Sequence, residues 1–323
     1  MHTNPHTITL KSASITAEIV TAGASLRSLY IPGVEHSLIV GAHDRAHYGA
    51  GNRSFLGATI GRHANRIANG RFILDGEAQA LSINEPPHHL HGGLTGFWAR
   101  PWSVLEVSDI RAVLSLSAAD GEDGYPGAAD VTATFTIAED GTLQIAYEGR
   151  VARPSVMNLT AHLYFNLSGH ATTRDHSLEV AADSYLPVDA GLIPTGEIAS
   201  VESTPFDFRN GKTLSAGPEM LDHNFCLNGG RQQTPRPIAR LSSQSGGVAM
   251  EIISGEAGLQ VYDGAKFDGT IVGLDGRDIG PHGAIALEPQ SWPDAPNQSA
   301  FPSTRLGPGE IYRHDSHYRF SRI

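Results

Sequence analysis

The run Val131-Thr-Ala-Thr-Phe-Thr-Ile137, the link Ala-Glu-Asp-Gly, and the run Thr142-Leu-Gln-Ile-Ala-Tyr147 constrain the fold more than any other part of the chain. Apolar and polar residues alternate with period two through both runs, the repeat of a strand with one buried face, and Asp140-Gly141 supplies a tight turn between them. An antiparallel hairpin follows. Residues 238–241 and 248–253 repeat the pattern around Ser245-Gly-Gly247, and residues 8–10, 14–19 and 25–30 are short, alternating and closely spaced, as in a meander. No segment sustains a helical apolar period over three turns with caps at both ends. The 36 glycines and 19 prolines suit frequent turns and bulges. The expected fold is therefore all-β, a large antiparallel β-sandwich of two packed sheets.

At 323 residues the length permits one large β domain or two smaller ones. The possible breaks at residues 121–127 and 231–237 are short and are followed by strands like those before them, so a single domain over residues 1–323 is expected. Apolar content of 40% and charged content of 18% describe a globular protein. A net charge of −11 with no basic run argues against a nucleic-acid partner. A lone cysteine, Cys226, excludes a disulfide within the chain and fits a reducing compartment. The first seven residues lack the basic and apolar regions of a secretory signal, and no apolar run reaches membrane-spanning length. The expectation is a cytoplasmic protein, with no membrane association, that meets small neutral partners as a monomer or homodimer.

Four stretches carry residues suited to chemistry. In Ala286-Leu-Glu-Pro-Gln-Ser-Trp-Pro-Asp-Ala-Pro-Asn-Gln298, Pro289 should end a strand just after Glu288 and hold that carboxylate stiffly. Trp292, Pro293 and Pro296 would add a stacking surface for a flat, hydroxylated ligand. Residues 57–70 set Asn65 and Arg66 in glycine-flanked backbone that a small ligand could approach. In Asn84-Glu-Pro-Pro-His-His-Leu-His-Gly-Gly93, His89 and His91 would share one face of an extended segment, an arrangement that also suits a metal if a third ligand exists. His91 as a polar ligand binder is the favoured reading there. In Val156-Met-Asn-Leu-Thr-Ala-His-Leu-Tyr-Phe-Asn-Leu167, Asn158, Thr160, His162, Tyr164 and Asn166 alternate with apolar residues. That face resembles the lining of a sugar cleft, and its rival is a buried polar network that fixes register. Asp222 and Gln260 sit where either could bind hydroxyls. Cys226 lies near His223 in sequence, but a single cysteine is most often buried and inert. No serine-hydrolase, Walker or dinucleotide motif occurs.

Six motifs run in order along nearly the whole chain: Gly61-Arg-His-Ala-Asn-Arg-Ile-Ala-Asn-Gly70, Leu90-His-Gly-Gly93 with Gly96-Phe97, Asp123-Gly-Tyr-Pro-Gly127, residues 158–167, Asp222-His-Asn-Phe225, and residues 288–298. Together they resemble the aldose 1-epimerase (galactose mutarotase) family. The resemblance implies a β-supersandwich, no metal or organic cofactor, and interconversion of the α and β anomers of free aldoses such as glucose or galactose. It makes Glu288 the general base and His162 the general acid. It gives Asn65, Arg66, His91 and Asp222 to ring and hydroxyl oxygens and sets Gln260 near the base. The sequence departs from the family pattern at His88-His89 and at residues 262–266, which bears on sugar preference. The alternatives are a non-catalytic carbohydrate-binding sandwich, a phosphosugar epimerase of the same fold, and a metal-dependent isomerase built on His89 and His91. The enzyme reading requires Glu288 and His162 to meet across a cleft about one pyranose wide.

Overall fold

The computed structural model describes residues 6–323; the first five residues of the N-terminal stretch read for a leader lie outside them. Strands dominate, and the helical segments among the described residues are six three-residue 3-10 turns. The hairpin of alternating runs forms as Ala129–Ile137 and Thr142–Val151, with Ile137 opposite Leu143. Arg236–Ser243 and Val248–Ser254 pair as the second hairpin, and Thr7–Lys11, Thr16–Val20 and Ser25–Tyr30 form the three-stranded meander. Both hairpins join a nine-stranded sheet, in which the C-terminal strand Tyr312–Arg322 lies between them.

A six-stranded sheet runs in the order Tyr164–Phe165, Ile285–Gln290, Gly258–Tyr262, Asp222–Cys226, Ser184–Tyr185 and Ala199–Ser200. Its pairs are antiparallel. Because successive side chains point to opposite faces, Leu163, Phe165, Leu259, Val261, Ile285 and Leu287 enter the main core, where they meet Leu143, Ile145, Ile252, Tyr318 and Phe320 of the larger sheet. Their sequence neighbours His162, Tyr164, Gln260, Tyr262 and Glu288 consequently occupy the other face. Each apolar side chain buried in this way contributes about 1.5–3 kcal/mol. The energy that orients the polar residues thus comes from the alternating apolar ones. One apolar cluster draws residues from Ile8 to Phe320. No helix is long and apolar enough to cross a membrane.

Two local expectations need correction. The strand Ile285–Gln290 does not stop at Glu288 but runs two residues further, with Pro289 opposite Leu259. Proline is tolerated because that pairing asks no N–H of it, and its carbonyl points the other way, accepting from Thr160 Oγ1 at 2.8 Å. Residues 156–167 are not one strand. They break into Ser155–Val156, Thr160–Ala161 and Tyr164–Phe165, yet the two-sided pattern persists, since Leu159, Ala161, Leu163, Phe165 and Leu167 all enter the core.

Candidate active site

Loops close over the outer face of the smaller sheet and leave a cavity of about 270 Å³ above Glu288. The Leu90-His-Gly-Gly motif builds one wall. At Gly92, φ is +87° and an added Cβ would stand 1.8 Å from the Gly61 carbonyl oxygen, so a glycine is required where these two loops cross. The crossing brings His91 against Asn65. The His91 N–H donates to the Asn65 carbonyl at 3.1 Å, and the Asn65 N–H donates to His91 Nδ1 at 3.1 Å. Asn65 itself has φ of +64°, which its side chain supports by accepting from the Arg66 N–H at 2.8 Å.

His162 and Glu288 face each other at the base of the cavity, with Nε2 and Oε1 3.5 Å apart. Both side chains are almost fully buried, at 5% and 2% exposure. Glu288 Oε2 and His162 Nδ1 have no hydrogen-bond partner. Burial raises the Glu288 carboxyl well above its ordinary value, with the Asp222 charge adding to the rise and Arg66 opposing it. Burial lowers His162 to about 3. The usual order of the two groups is thereby inverted. Burial therefore favours the form in which one proton shared by the pair rests on Glu288 and both groups are neutral. A carboxylate with an imidazolium would hold the same number, so the pair can exchange its two forms without gaining or losing a proton to water.

Of the other expected site residues, Asn65, Arg66, His91 and Asp222 line the same cavity, and Gln260 stands behind Asp222. Arg66 donates a two-pronged fork to Glu85, through Nε at 2.6 Å and Nη2 at 2.9 Å, and its Nη1 lies 3.9 Å from Asp222 Oδ2. Gln260 is the cross-strand partner of Glu288, and its Nε2 donates to Asp222 Oδ1 at 2.7 Å. Gln260 therefore acts on Asp222, while its Oε1 is left without a partner. His91 meets the His162 ring edge-on at 5.2 Å between centroids. Burial above all lowers it well below its ordinary value, with the neighbouring His162 and Arg66 acting in the same direction, and keeps it neutral. With Nδ1 occupied by the Asn65 N–H, the remaining proton must sit on Nε2, making His91 a hydrogen-bond donor to the cavity.

That tautomer bears on the metal reading. The candidate ligand atoms of His91, His162 and Glu288 lie within 4.8 Å of one another. A metal needs an imidazole lone pair, and the neutral His91 ring has spent its only one on the Asn65 N–H. The donor set therefore does not fit a cation. Nor does His89 share a face with His91. Its Nδ1 bonds the Ser82 carbonyl and its Nε2 the Tyr125 hydroxyl, each at 2.7 Å, deep in a different part of the fold. The strand there covers only His89–Leu90, and the left-handed backbone at His91, with φ of +51°, breaks the alternation.

Further assignments change in the same way. Trp292 offers no stacking surface. It donates Nε1 to the Ala257 carbonyl at 3.0 Å and packs edge-on against Phe301 away from the cavity. Asn158, Thr160 and Asn166 spend their side chains on backbone groups, so of the polar face only His162 and Tyr164 reach the cavity. The register-fixing network and the sugar lining are both present, divided between neighbours. In Gly61-Arg-His-Ala-Asn-Arg66, Arg62 is buried structure, bonding the carbonyls of Pro126 and Gly127 and the Ser155 hydroxyl. Cys226 packs with Leu186, Ala257 and Trp292, and burial pushes its thiol up to about 12. It is not a nucleophile candidate.

Residues without a prior assignment complete the lining: Arg53, Phe55, Glu85, Tyr262, Lys266 and Phe267. Glu85 was readable in principle as the carboxylate beside the histidine motif. Tyr262 follows Gln260 by two residues on the same strand face, and the rest come from loops whose destination only the folded structure reveals.

The sequence model of the family described as Aldose 1-epimerase matches residues 6–319. The chain belongs to the aldose 1-epimerase family. A relative from Bos taurus, named galactose mutarotase, is 38% identical over 97% of this chain and 93% of its own length. Aldose 1-epimerase of Escherichia coli strain K12 is 34% identical over 97% of this chain and 94% of its own. Among solved structures, the aldose epimerase homologue from C. elegans superimposes with a TM-score of 0.93 at 31% identity, over 99% of each chain. Membership in this family accounts for the six ordered motifs and for the supersandwich.

Proposed function

We propose that this enzyme interconverts the α and β anomers of free aldoses such as glucose or galactose, with Glu288 as the base and His162 as the acid. The approach of Glu288 Oε1 to His162 Nε2 at 3.5 Å, both side chains buried at the base of a sugar-sized cavity, carries the reading. The anomeric hydroxyl and the ring oxygen share one carbon, so two groups this close can each hydrogen-bond one of them. Ring opening takes the hydroxyl proton onto Glu288 carboxylate and gives the His162 proton to the ring oxygen. The C1–O5 bond breaks and a carbonyl forms at C1. After the aldehyde rotates, the reverse transfers close the ring on its other face.

Each transfer converts one form of the pair into the other, and no proton need come from solvent. The neutral pair favoured by burial matches the open-chain stage, and the ion pair matches the ring-closed stage. A bound sugar draws the proton from Glu288 to His162 by offering the carboxylate a hydroxyl donor in place of water-free surroundings. Asp222, Arg66 and Asn65 would hold hydroxyls, His91 would donate to an oxygen near the anomeric carbon, and Gln260 would orient Asp222. The chain would act as one domain over residues 1–323, in the cytoplasm, as a monomer or homodimer; the main apolar cluster, which draws residues from Ile8 to Phe320, supports the first of these.

Glu288→Gln and His162→Asn test the assignment, since each positioned proton-transfer group contributes roughly 10²–10⁴-fold. Each variant is expected to lose at least about a hundredfold in turnover by polarimetry on fresh α-glucose or α-galactose while remaining folded. Near-normal rates in both would remove these residues from the mechanism.

A further inference from the structure

Three cationic side chains line the cavity, and only one of them is neutralised. Arg66 is committed to Glu85 and faces Asp222. Among the described residues, Arg53 and Lys266 form no ion pair, although the chain as a whole carries a net charge of −11. A neutral aldose offers them no partner of opposite charge.

Both are exposed at the rim of the cavity, on the segments that wall in His162. The Arg53 guanidinium lies over the Trp98 ring, 5.6 Å from its centroid. Trp98 also supports Phe55 edge-on at 5.1 Å, and Phe55 in turn packs against His162 at 5.7 Å. On the opposite side, the Lys266 backbone N–H donates to the Tyr262 hydroxyl at 2.8 Å. Its neighbour Phe267 packs on Tyr164 at 5.0 Å, and Tyr164 on His162 at 4.8 Å. Two cations thus border one sugar-sized space, each one or two residues from an aromatic that touches the proposed acid or its support.

We propose that the preferred substrate is an aldose bearing an anionic group, a carboxylate or a phosphate, remote from its anomeric carbon, received by Arg53 and Lys266. This rests on the mutarotase reading of the site and narrows it. Charge-assisted contacts at the mouth of a cavity would raise capture of such a sugar and make it sensitive to salt.

Exchange NMR between anomeric protons measures catalysed interconversion of glucose, glucuronate and glucose 6-phosphate under one set of conditions. The expected result is that kcat/KM for glucuronate or glucose 6-phosphate exceeds that for glucose by about tenfold, an advantage that shrinks as ionic strength rises. The arm that gains tells carboxylate from phosphate. In the Arg53→Gln, Lys266→Gln double variant the ratio of anionic to neutral kcat/KM should fall about tenfold; being internal to each preparation, it is insensitive to partial loss of folded enzyme. Glucose turned over best, or an anionic advantage unchanged by the substitutions, overturns the proposal and leaves the mutarotase reading intact. Turnover of none of the three sugars overturns both.

Discussion

His63 gives the sharpest test of how far burial governs the titration of this protein. It stands in the loop that presents Asn65 and Arg66, is fully buried, and has no hydrogen-bond partner at either ring nitrogen. Burial, with the nearby His89 adding to it, lowers His63 to about 3, against about 6.5 in an unfolded chain. Above pH 6.5 both states are neutral and the group has no effect on stability. Below it the unfolded chain binds a proton that the folded one refuses, so stability falls with pH until the folded value is reached. Between pH 7.5 and pH 5 the loss amounts to 1.5 pH units below the unfolded value, or about 2 kcal/mol. That figure hardly changes if the folded value is 2 or 4, because pH 5 lies above both.

In His63→Leu the titration disappears. Since neither nitrogen has a partner to lose, the apolar replacement leaves no unsatisfied group behind. Urea titrations of both proteins at pH 7.5 and pH 5 give four unfolding free energies. Any packing effect of leucine is common to both pH values and cancels in the difference. Wild type should lose about 2 kcal/mol more than the variant on going to pH 5. Equal losses, within roughly 0.5 kcal/mol, would refute the claim that His63 is held neutral.

Two further outcomes follow from the site. The acid limb of the kcat/KM profile, which reports the free enzyme, should not appear near pH 6.5, where a free histidine titrates, because burial lowers His162 to about 3; a half-maximal kcat/KM near pH 6.5 would contradict the inverted order. Asp222→Ala should raise the KM for sugar by roughly ten- to a hundredfold, the cost of a hydrogen bond to a charged group, with Gln260→Ala producing a smaller change in the same direction. An unaltered KM in Asp222→Ala would remove that residue from binding.

What the sequence disclosed, and what it hid, divides along physical lines. Strand alternation is local, so the hairpin at residues 129–151 and the two-sided character of residues 158–167 were readable from period two alone. Glu288 and His162 met because Glu288 stands on the non-core face of its strand and His162, in the break just before the neighbouring strand Tyr164–Phe165, points the same way while Ala161 and Leu163 beside it enter the core. Loop geometry is not local in this sense. His89 and His91 part company because of one left-handed residue, and Trp292 turns away because the Ala257 carbonyl claims its N–H. Arg53 and Lys266 reach the cavity only through long-range closures such as the Gly57 N–H on the His162 carbonyl, which no periodicity announces. The register-fixing amides at Asn158 and Asn166 and the cavity-facing imidazole at His162 shared one sequence signature. Only coordinates could tell which groups found a backbone partner.

The account stands on a single proton passing between Glu288 and His162 by way of the sugar. Rates in Glu288→Gln, His162→Asn and the double variant, measured side by side by exchange NMR, probe that unity, since groups that act as one are strongly non-additive. The double variant should be about as slow as the worse single variant. Losses that multiply, with the double variant slower by the product of the two single effects, would mean that the carboxyl and the imidazole work independently, and the shared-proton mechanism would be wrong.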